Sequence, residues 1–263
     1  KIEIIIVDNN SSDNGISIAK DYNVKIISEN KKGSYAARNA GLKVAKGTIL
    51  GFTDVDCIAS NKWIQNAVEY FEKNEDLMLL SGGIEFYSRN KLTVWGAYDK
   101  NRFLKQEHIS KVGSATTANL FVKKELFDDI GSFDGELISG GDGEWSNRAK
   151  KKGYKLKYFE EIKVYHPVRN NFKEVAGKSF RIGIGKGQYF RKEKKWLRTI
   201  IPNYLISTVQ TLPKSVINGE GNLFKKLILL FKLLFVEIIL CSINYFACFL
   251  GYFNLYDKEK QIE

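Results

Sequence analysis

Two aspartates one residue apart, Asp54 and Asp56 in Thr53-Asp54-Val55-Asp56-Cys57, are the residues of this chain best placed to do chemistry. They follow the strand-forming run Thr48-Ile49-Leu50-Gly51-Phe52 and precede Ser60-Asn61-Lys62, which can start a helix. Carboxylates at a strand's carboxyl end project from the sheet edge at which open α/β sheets bind ligands. Hard divalent cations take oxygen ligands, and Mg²⁺ or Mn²⁺ commonly uses one or two carboxylates together with a substrate's phosphates. The chemistry indicated is a metal-bridged diphosphate. The competing reading is that both aspartates cap a turn and the following helix.

The elements around this pair must deliver it to a cleft. Ile2-Glu3-Ile4-Ile5-Ile6-Val7 is an almost continuous apolar run, as expected of a strand buried on both faces, and Asp8 sits at its end. Asp8 either forms the turn or accepts from a base or ribose at the strand tip. A short helix over residues 16–22 and a strand over 24–28 follow. Small and apolar residues then recur at helical spacing from Tyr35 to Ala45, before Gly47. Within that helix Arg38 stands isolated, either on a solvated face or with its guanidinium on a diphosphate or its bridging carboxylates.

The helix after the acidic pair places Trp63, Ile64, Ala67, Val68 and Phe71 on one stripe, so it packs against a sheet. Strand-helix alternation of this kind predicts a layered α/β domain with a mainly parallel sheet. A dinucleotide-binding domain is the rival, but the first strand-helix turn lacks a Gly-x-Gly-x-x-Gly loop. Gly183-Ile184-Gly185-Lys186-Gly187 lies too late to replace it and is expected to be a bend or a close helix contact. Further along, the spacing predicts strands over 77–80, 83–87, 155–159 and 162–165, the last leading into His166-Pro167.

With 263 residues and 44% hydrophobic content the chain can bury a sizeable core. Cys57, Cys241 and Cys248 show no metal-ligand spacing and form no even disulfide set, which fits a reducing cytosolic setting. The net charge of +11 is unevenly spread, with −3 over residues 1–147, +13 over 148–198 and +1 over 199–263. A basic belt beside an apolar tail favours an anionic membrane surface over nucleic acid.

The ordered motifs resemble a family 2 glycosyltransferase of the GT-A type. They are Val7-Asp8-Asn9-Asn10-Ser11-Ser12-Asp13, Ala37-Arg38-Asn39-Ala40-Gly41, Phe52-Thr53-Asp54-Val55-Asp56, and Gly140-Gly141-Asp142-Gly143-Glu144-Trp145 with Arg148. Residues 118–122 and 130–134 resemble the family's acceptor-side segment, and the likeness runs from residue 1 to about Pro167. It implies a GT-A, Rossmann-like α/β fold for nucleotide-diphospho-sugar transfer, a mixed sheet with helices on both faces. It further implies that Asp8 contacts the nucleoside, Arg38 holds the donor, Asp54 meets the ribose or the metal, and Asp56 coordinates a Mg²⁺ or Mn²⁺ ion. Asp142 aligns with the catalytic carboxylate, with Glu144 the fallback base. Gly141 departs from the commoner Glu-Asp-x-Asp pattern. Both acids also suit capping of the helix over 145–152, whose N-terminus favours negative charge.

His166 is either near the metal or diphosphate, as the resemblance implies, or a partly buried hydrogen-bonding residue. The hydroxyl-rich loop Lys111 to Thr117 is expected near the acceptor, and His108 is expected to be structural. The family begins with an earlier strand and a Tyr-Asn pair. The chain opens at Lys1, with Met78 its only methionine, so the expectation is an N-terminally truncated member.

The expected organisation is a catalytic domain over 1–167, a basic helical linker over 168–222, and an apolar helical tail over 223–256 that spans or lies on a membrane. Leu233 to Phe253 carries Glu237 as its one formal charge, a length that can cross a bilayer core. The interruptions also suit a hairpin, an in-plane helix with snorkelling lysines, or a helix pair packed on the catalytic domain. Trp196, Tyr245 and Tyr252 suit interfacial positions, and the positive belt places the catalytic part on the cytoplasmic face. The function expected is inverting hexosyl transfer from a nucleotide sugar, UDP first among the nucleotides, to a hydroxyl of a glycan or lipid-linked acceptor in cell-surface polysaccharide or glycolipid synthesis. A sugar nucleotidyltransferase and a non-catalytic membrane-associated binding module are the alternatives.

Overall fold

The strands Ile5–Asp8 (β1) and Lys25–Ser28 (β2) pair in parallel, with Asp8 opposite Ser28, and the short helix Gly15–Ala19 (α1) connects them. The computed structural model in which this is seen describes residues 1–195 and 223–256. Those residues fall into two units, 1–85 with 106–165, and 86–105 with 166–195 and 223–256.

In the first unit, Ser34–Val44 (α2) lies against β1, and a methyl group at Gly41 would stand 3.3 Å from Val7. The chain continues through Ile49–Thr53 (β3), Ile58–Ala59 (β4), Trp63–Lys73 (α3) and Leu79–Tyr87 (β5). After Val94–Arg102 (α4) come Gln106–Ser110 (α5), Asn119–Lys123 (β6), Glu125–Ile130 (α6), Gly141–Lys151 (α7) and Lys157–Pro167 (β7). The larger sheet has the order β3-β6-β5-β7-β4.

That sheet corrects the expectation of mainly parallel pairing, because β3 with β6, β5 with β6, and β4 with β7 are all antiparallel. The regular strand-helix alternation holds only as far as α3. Beyond it β6 returns in the opposite sense and inserts between β3 and β5, which a local pattern cannot foresee. Neighbouring residues on β5 and β6 point to opposite faces, as a strand's period of two requires. Leu79, Leu120 and Val122 join Leu126, Phe127 and Trp145 on one face, while Leu80 and Phe121 join Trp63, Ala67 and Phe71 on the other. Helices therefore cover both faces.

Two pairs of short predicted strands are each one continuous strand, β5 and β7. Gly82 lies inside β5, where a side chain would collide with the carbonyl of Ile162 and the amide of Asn119. The glycine serves close approach of strands rather than a break.

The second unit is built from α4, Phe172–Lys192 (α8) and Leu223–Phe253 (α9) around Tyr98, Phe103, Val175, Leu233, Val236 and Leu240. Asn244 Nδ2 donates to Ser179 O at 2.7 Å. Further along, Gly183 abuts Asn244 and Ala247, and Gly187 abuts Cys248 and Tyr252, so the two helices run in the same direction with their backbones in contact. Small residues permit that approach. The glycine cluster is thus a close helix contact inside an unbroken helix. Leu227–Phe253 of α9 is long and apolar enough to cross a membrane. Its outer face exposes Phe231, Phe235, Ile238 and Phe246, while Leu233, Leu240 and Ala247 are buried. Trp196 and the rest of the expected linker to residue 222 lie outside the described residues.

Candidate active site

The turn after β3 closes with a hydrogen bond from Cys57 N to Asp54 O at 3.0 Å. It leaves Val55 fully exposed, Asp56 exposed and Asp54 half-buried. Arg38 reaches this turn from α2, and its Nη2 donates to Asp54 Oδ1 at 2.7 Å. A charge-assisted bond of that length on a partly buried pair fixes both groups. The guanidinium also lies 5.5 Å from the ring centre of Tyr35, one helical turn earlier.

Tyr35 is buried and carries the link onward, since its hydroxyl donates to Asp142 Oδ1 at 3.1 Å. Asp142 stands in the first turn of α7, which begins after Gly140 at φ 80°, a left-handed conformation that suits glycine. Gly143 N donates to Asp142 Oδ1 at 2.9 Å, and Thr117 N donates to Oδ2 at 3.3 Å. Removal from water pushes the Asp142 carboxyl above the usual range, outweighing the opposing pull of Arg38 and these donors. Gly141 has a steric reason, because a methyl group there would sit 2.8 Å from the Tyr35 ring. Where the resembling family often carries an acid, this chain has a tyrosine face.

Glu144 has a different engagement. Its carboxylate accepts from Arg148 Nε at 2.8 Å and Nη2 at 3.1 Å. Arg148 in turn donates to the carbonyls of Ile130 and Ser132. The pair clamps the loop before α7.

Asp8 ends β1 and accepts from Ser11 N at 2.9 Å, and the backbone and hydroxyl of Ser11 hold its carboxyl below the usual range. Next to it, Asn9 donates to Glu29 O and Lys31 O and accepts from Gly33 N at 2.8 Å, tying the β1 tip to the start of α2. On α2 itself Asn39 makes two bonds to the Phe133 backbone, donating to O at 2.8 Å and accepting from N at 3.0 Å. The sequence reading places Asn39 within a motif and Thr117 within the loop expected near the acceptor, and it gives neither of these nor Tyr35 a role of its own. Tyr35 and Arg38 share helical spacing and could have been paired on that ground. Thr117 acts through its backbone, which leaves no mark in residue type.

His166 belongs to the second unit and is buried, with its ring 5.4 Å from Phe86. Its Nδ1 lies 2.7 Å from Pro167 O. A carbonyl only accepts, so this contact places the proton on Nδ1 and leaves Nε2 the unprotonated nitrogen.

The chain resembles known proteins over most of its length. The family model described as Glycosyl transferase family 2 matches residues 1–131. Glycosyltransferase AglE of Haloferax volcanii is 35% identical over 221 residues, 81% of this chain and 72% of that protein. This chain belongs to glycosyl transferase family 2. A glucosyl-dolichyl phosphate glucuronosyltransferase of the same organism is 24% identical over 178 residues, and the chain spans 56% of its length. Mannosyltransferase PcManGT from Pyrobaculum calidifontis, solved in complex with GDP-Man and Mn²⁺, superposes with a TM-score of 0.57 at 18% identity, covering 97% of this chain and 78% of that one. The fold is the GT-A fold of glycosyltransferases. Family membership takes the place of the nucleotidyltransferase alternative.

Proposed function

We propose that this family 2 glycosyltransferase moves a sugar from a nucleoside-diphosphate donor, UDP first among the nucleotides, to a hydroxyl of a glycan or lipid-linked acceptor, with inversion at the anomeric carbon. One observation carries the reading. Asp54, Arg38, Tyr35 and Asp142 form an unbroken chain of contacts joining the β3 turn to the first turn of α7. Donor-side and acceptor-side groups are thereby held in one frame.

In this reading Asp142 takes the proton of the acceptor hydroxyl as its oxygen bonds to the anomeric carbon. The bond to the diphosphate breaks with its electron pair on the leaving oxygen. Oδ2, which accepts only the 3.3 Å bond from Thr117 N, is the oxygen assigned to the proton. Arg38 holds the donor diphosphate, and Asp8 accepts from the nucleoside at the neighbouring strand tip. Glu144 keeps its clamping partner, which favours Asp142 as the base.

The oxygen-rich donor set suits a hard Mg²⁺ or Mn²⁺ ion, and the exposed Asp56 suits an ion shared with substrate phosphates. Asp56, Asp54 and His166 are the residues assigned to hold it. The Cys57 thiol is a soft group that such an ion does not select. When bound, the ion supplies positive charge opposite the departing diphosphate.

The apolar face of α9 and the basic belt support work at the cytoplasmic face of an anionic membrane, and the acceptors assigned are those of cell-surface glycan synthesis. A donor screen that follows nucleoside diphosphate release with and without divalent metal tests the function. Asp56→Ala is expected to abolish metal-stimulated release. Asp142→Asn is expected to lower turnover by at least about a thousandfold while UDP binding stays within a few-fold. Near-normal turnover in either variant contradicts its assignment.

A further inference from the structure

Two stripes run along opposite faces of α9. The inner stripe, Leu233, Glu237, Leu240, Asn244, Ala247 and Gly251, is buried, and its contacts are with α4 and α8. The outer stripe, Phe231, Phe235, Ile238, Phe246, Phe249 and Phe253, is exposed. At 3.6 residues per turn the two lie half a turn apart. Ser242 falls on the outer stripe, and its hydroxyl donates to Ile238 O at 2.9 Å, so its proton is met within the helix. Two routes would take α9 across a bilayer, and each meets an obstacle. Crossing together with its partner would carry α8 into hydrocarbon, and seven of the 21 residues of α8 are charged. Lys173, Arg181, Arg191 and Lys192 among them are exposed, where hydrocarbon strongly disfavours them. Crossing alone would strip the inner stripe of its partners. Glu237 Oε1 accepts from Cys241 Sγ at 3.1 Å and lies 3.8 Å from Arg102 Nε, and Asn244 bonds Ser179, so a carboxylate and an amide would be bared to lipid. A helix lying in the membrane plane meets neither obstacle, because the inner stripe keeps its partners and only the outer one leaves water.

Cations stand at both ends of the outer stripe. Lys232 is exposed next to Phe231. The exposed run Arg191-Lys192-Glu193-Lys194-Lys195 begins one turn past Gly187, which abuts Gly251. An apolar strip bounded by lysine and arginine suits a surface that is apolar within and anionic at its rim. We propose that α9 lies in the plane of a single anionic leaflet, with its outer stripe at the boundary between headgroups and acyl chains and these cations among the lipid phosphates. Both ends of the helix then stay on one side of the bilayer. The inference rests on the membrane association proposed above and adds its depth and topology, and it is independent of the sugar-transfer chemistry.

Nitroxide labels at Phe231→Cys, Ser242→Cys and Phe253→Cys read the arrangement, since they sample about 33 Å of one helix face. Each is placed in the full chain carrying Cys57→Ser, Cys241→Ser and Cys248→Ala, and added to preformed vesicles of equal parts phosphatidylcholine and phosphatidylglycerol. By power saturation with oxygen and a nickel chelate, all three labels are expected at one shallow depth, about 5–10 Å into the boundary. External ascorbate is expected to quench all three. A Ser242 label near the midplane, with one end label shielded from ascorbate, describes a span and overturns the proposal. Labels as open to the nickel chelate as in water overturn it as well. So does a doubled mass with all three labels immobilised before lipid is added, which makes this face a contact between two copies. The unaltered chain supplies a second reading should the cysteine replacements fail to fold. Trypsin added outside the vesicles is expected to cut at Lys258, beyond the end of α9, and protection of that site until detergent is added overturns the proposal. Sugar transfer by a chain whose α9 spans the bilayer would sink this inference alone, whereas in-plane insertion of a chain that releases no nucleoside diphosphate from any donor would sink the transferase reading alone.

Discussion

As the proposed base, Asp142 would depend for its chemistry on neighbours that are not acids. Burial alone favours its neutral form, and the Tyr35 hydroxyl, the amides of Gly143 and Thr117, and the Arg38 charge all favour the carboxylate. A base with a raised pKa is active above that pKa and lost as pH falls through it. The acidic limb of the rate profile is therefore expected above the ordinary carboxylate range. Tyr35→Phe removes one donor to the carboxylate and raises the pKa further. We expect the acidic limb of kcat/KM for the acceptor to move to higher pH, with turnover at the plateau reduced by about tenfold or less. A drop in rate with an unmoved limb would assign Tyr35 to packing alone.

Among the elements, the larger sheet is held at its centre by one polar side chain. Asn119 is fully buried on β6, donating to Gly83 O at 2.8 Å and Ile162 O at 2.7 Å and accepting from Trp63 Nε1 at 2.9 Å. It thereby joins β5, β7 and α3 to its own strand. Asn119→Leu strands two carbonyls and an indole N–H, each worth about 1–3 kcal/mol when left unmade. A loss of roughly 3 kcal/mol or more is expected in urea unfolding. Asn39 plays a comparable part on α2, where its paired bonds to Phe133 set the loop that leads to α7. Asn39→Ala is expected to cost about 1–2 kcal/mol and to weaken donor binding less than turnover, read by UDP titration beside the rate.

At the scale of the whole molecule, the proposed membrane association would draw on the positive belt over residues 148–198 and the apolar face of α9 in different ways. The charge is screened by salt, while the apolar face is not. The chain is expected to float with vesicles rich in anionic lipid and to stay partly bound at high salt. Phe235→Glu with Phe246→Glu, both on the exposed face of α9, is expected to abolish the salt-resistant fraction. Full release of the unaltered chain by salt would show that charge alone holds it. Gly187→Leu would drive a side chain into the backbone of α9 and is expected to separate the two helices, seen as a loss of cooperativity on melting.

What the amino-acid order determined by itself is the set of carboxylates, the layered α/β class and the apolar C-terminal helix, because periodicity and motif spacing are local properties. Asp8 and Asp54 close their strand ends as the apolar runs require, and the helix bearing Arg38 lies where small residues recur. What only the tertiary structure decided is which groups meet. Tyr35 touches Asp142 across 107 positions of chain, Asn119 reaches Ile162 across 43, and Lys178 approaches Asp99 across 79. The antiparallel insertion of β6 belongs with them, as does the identity of α9 as the helix that the α8 glycines meet. Each depends on how distant segments close on one another, and a pattern read over a dozen residues carries no record of that closure.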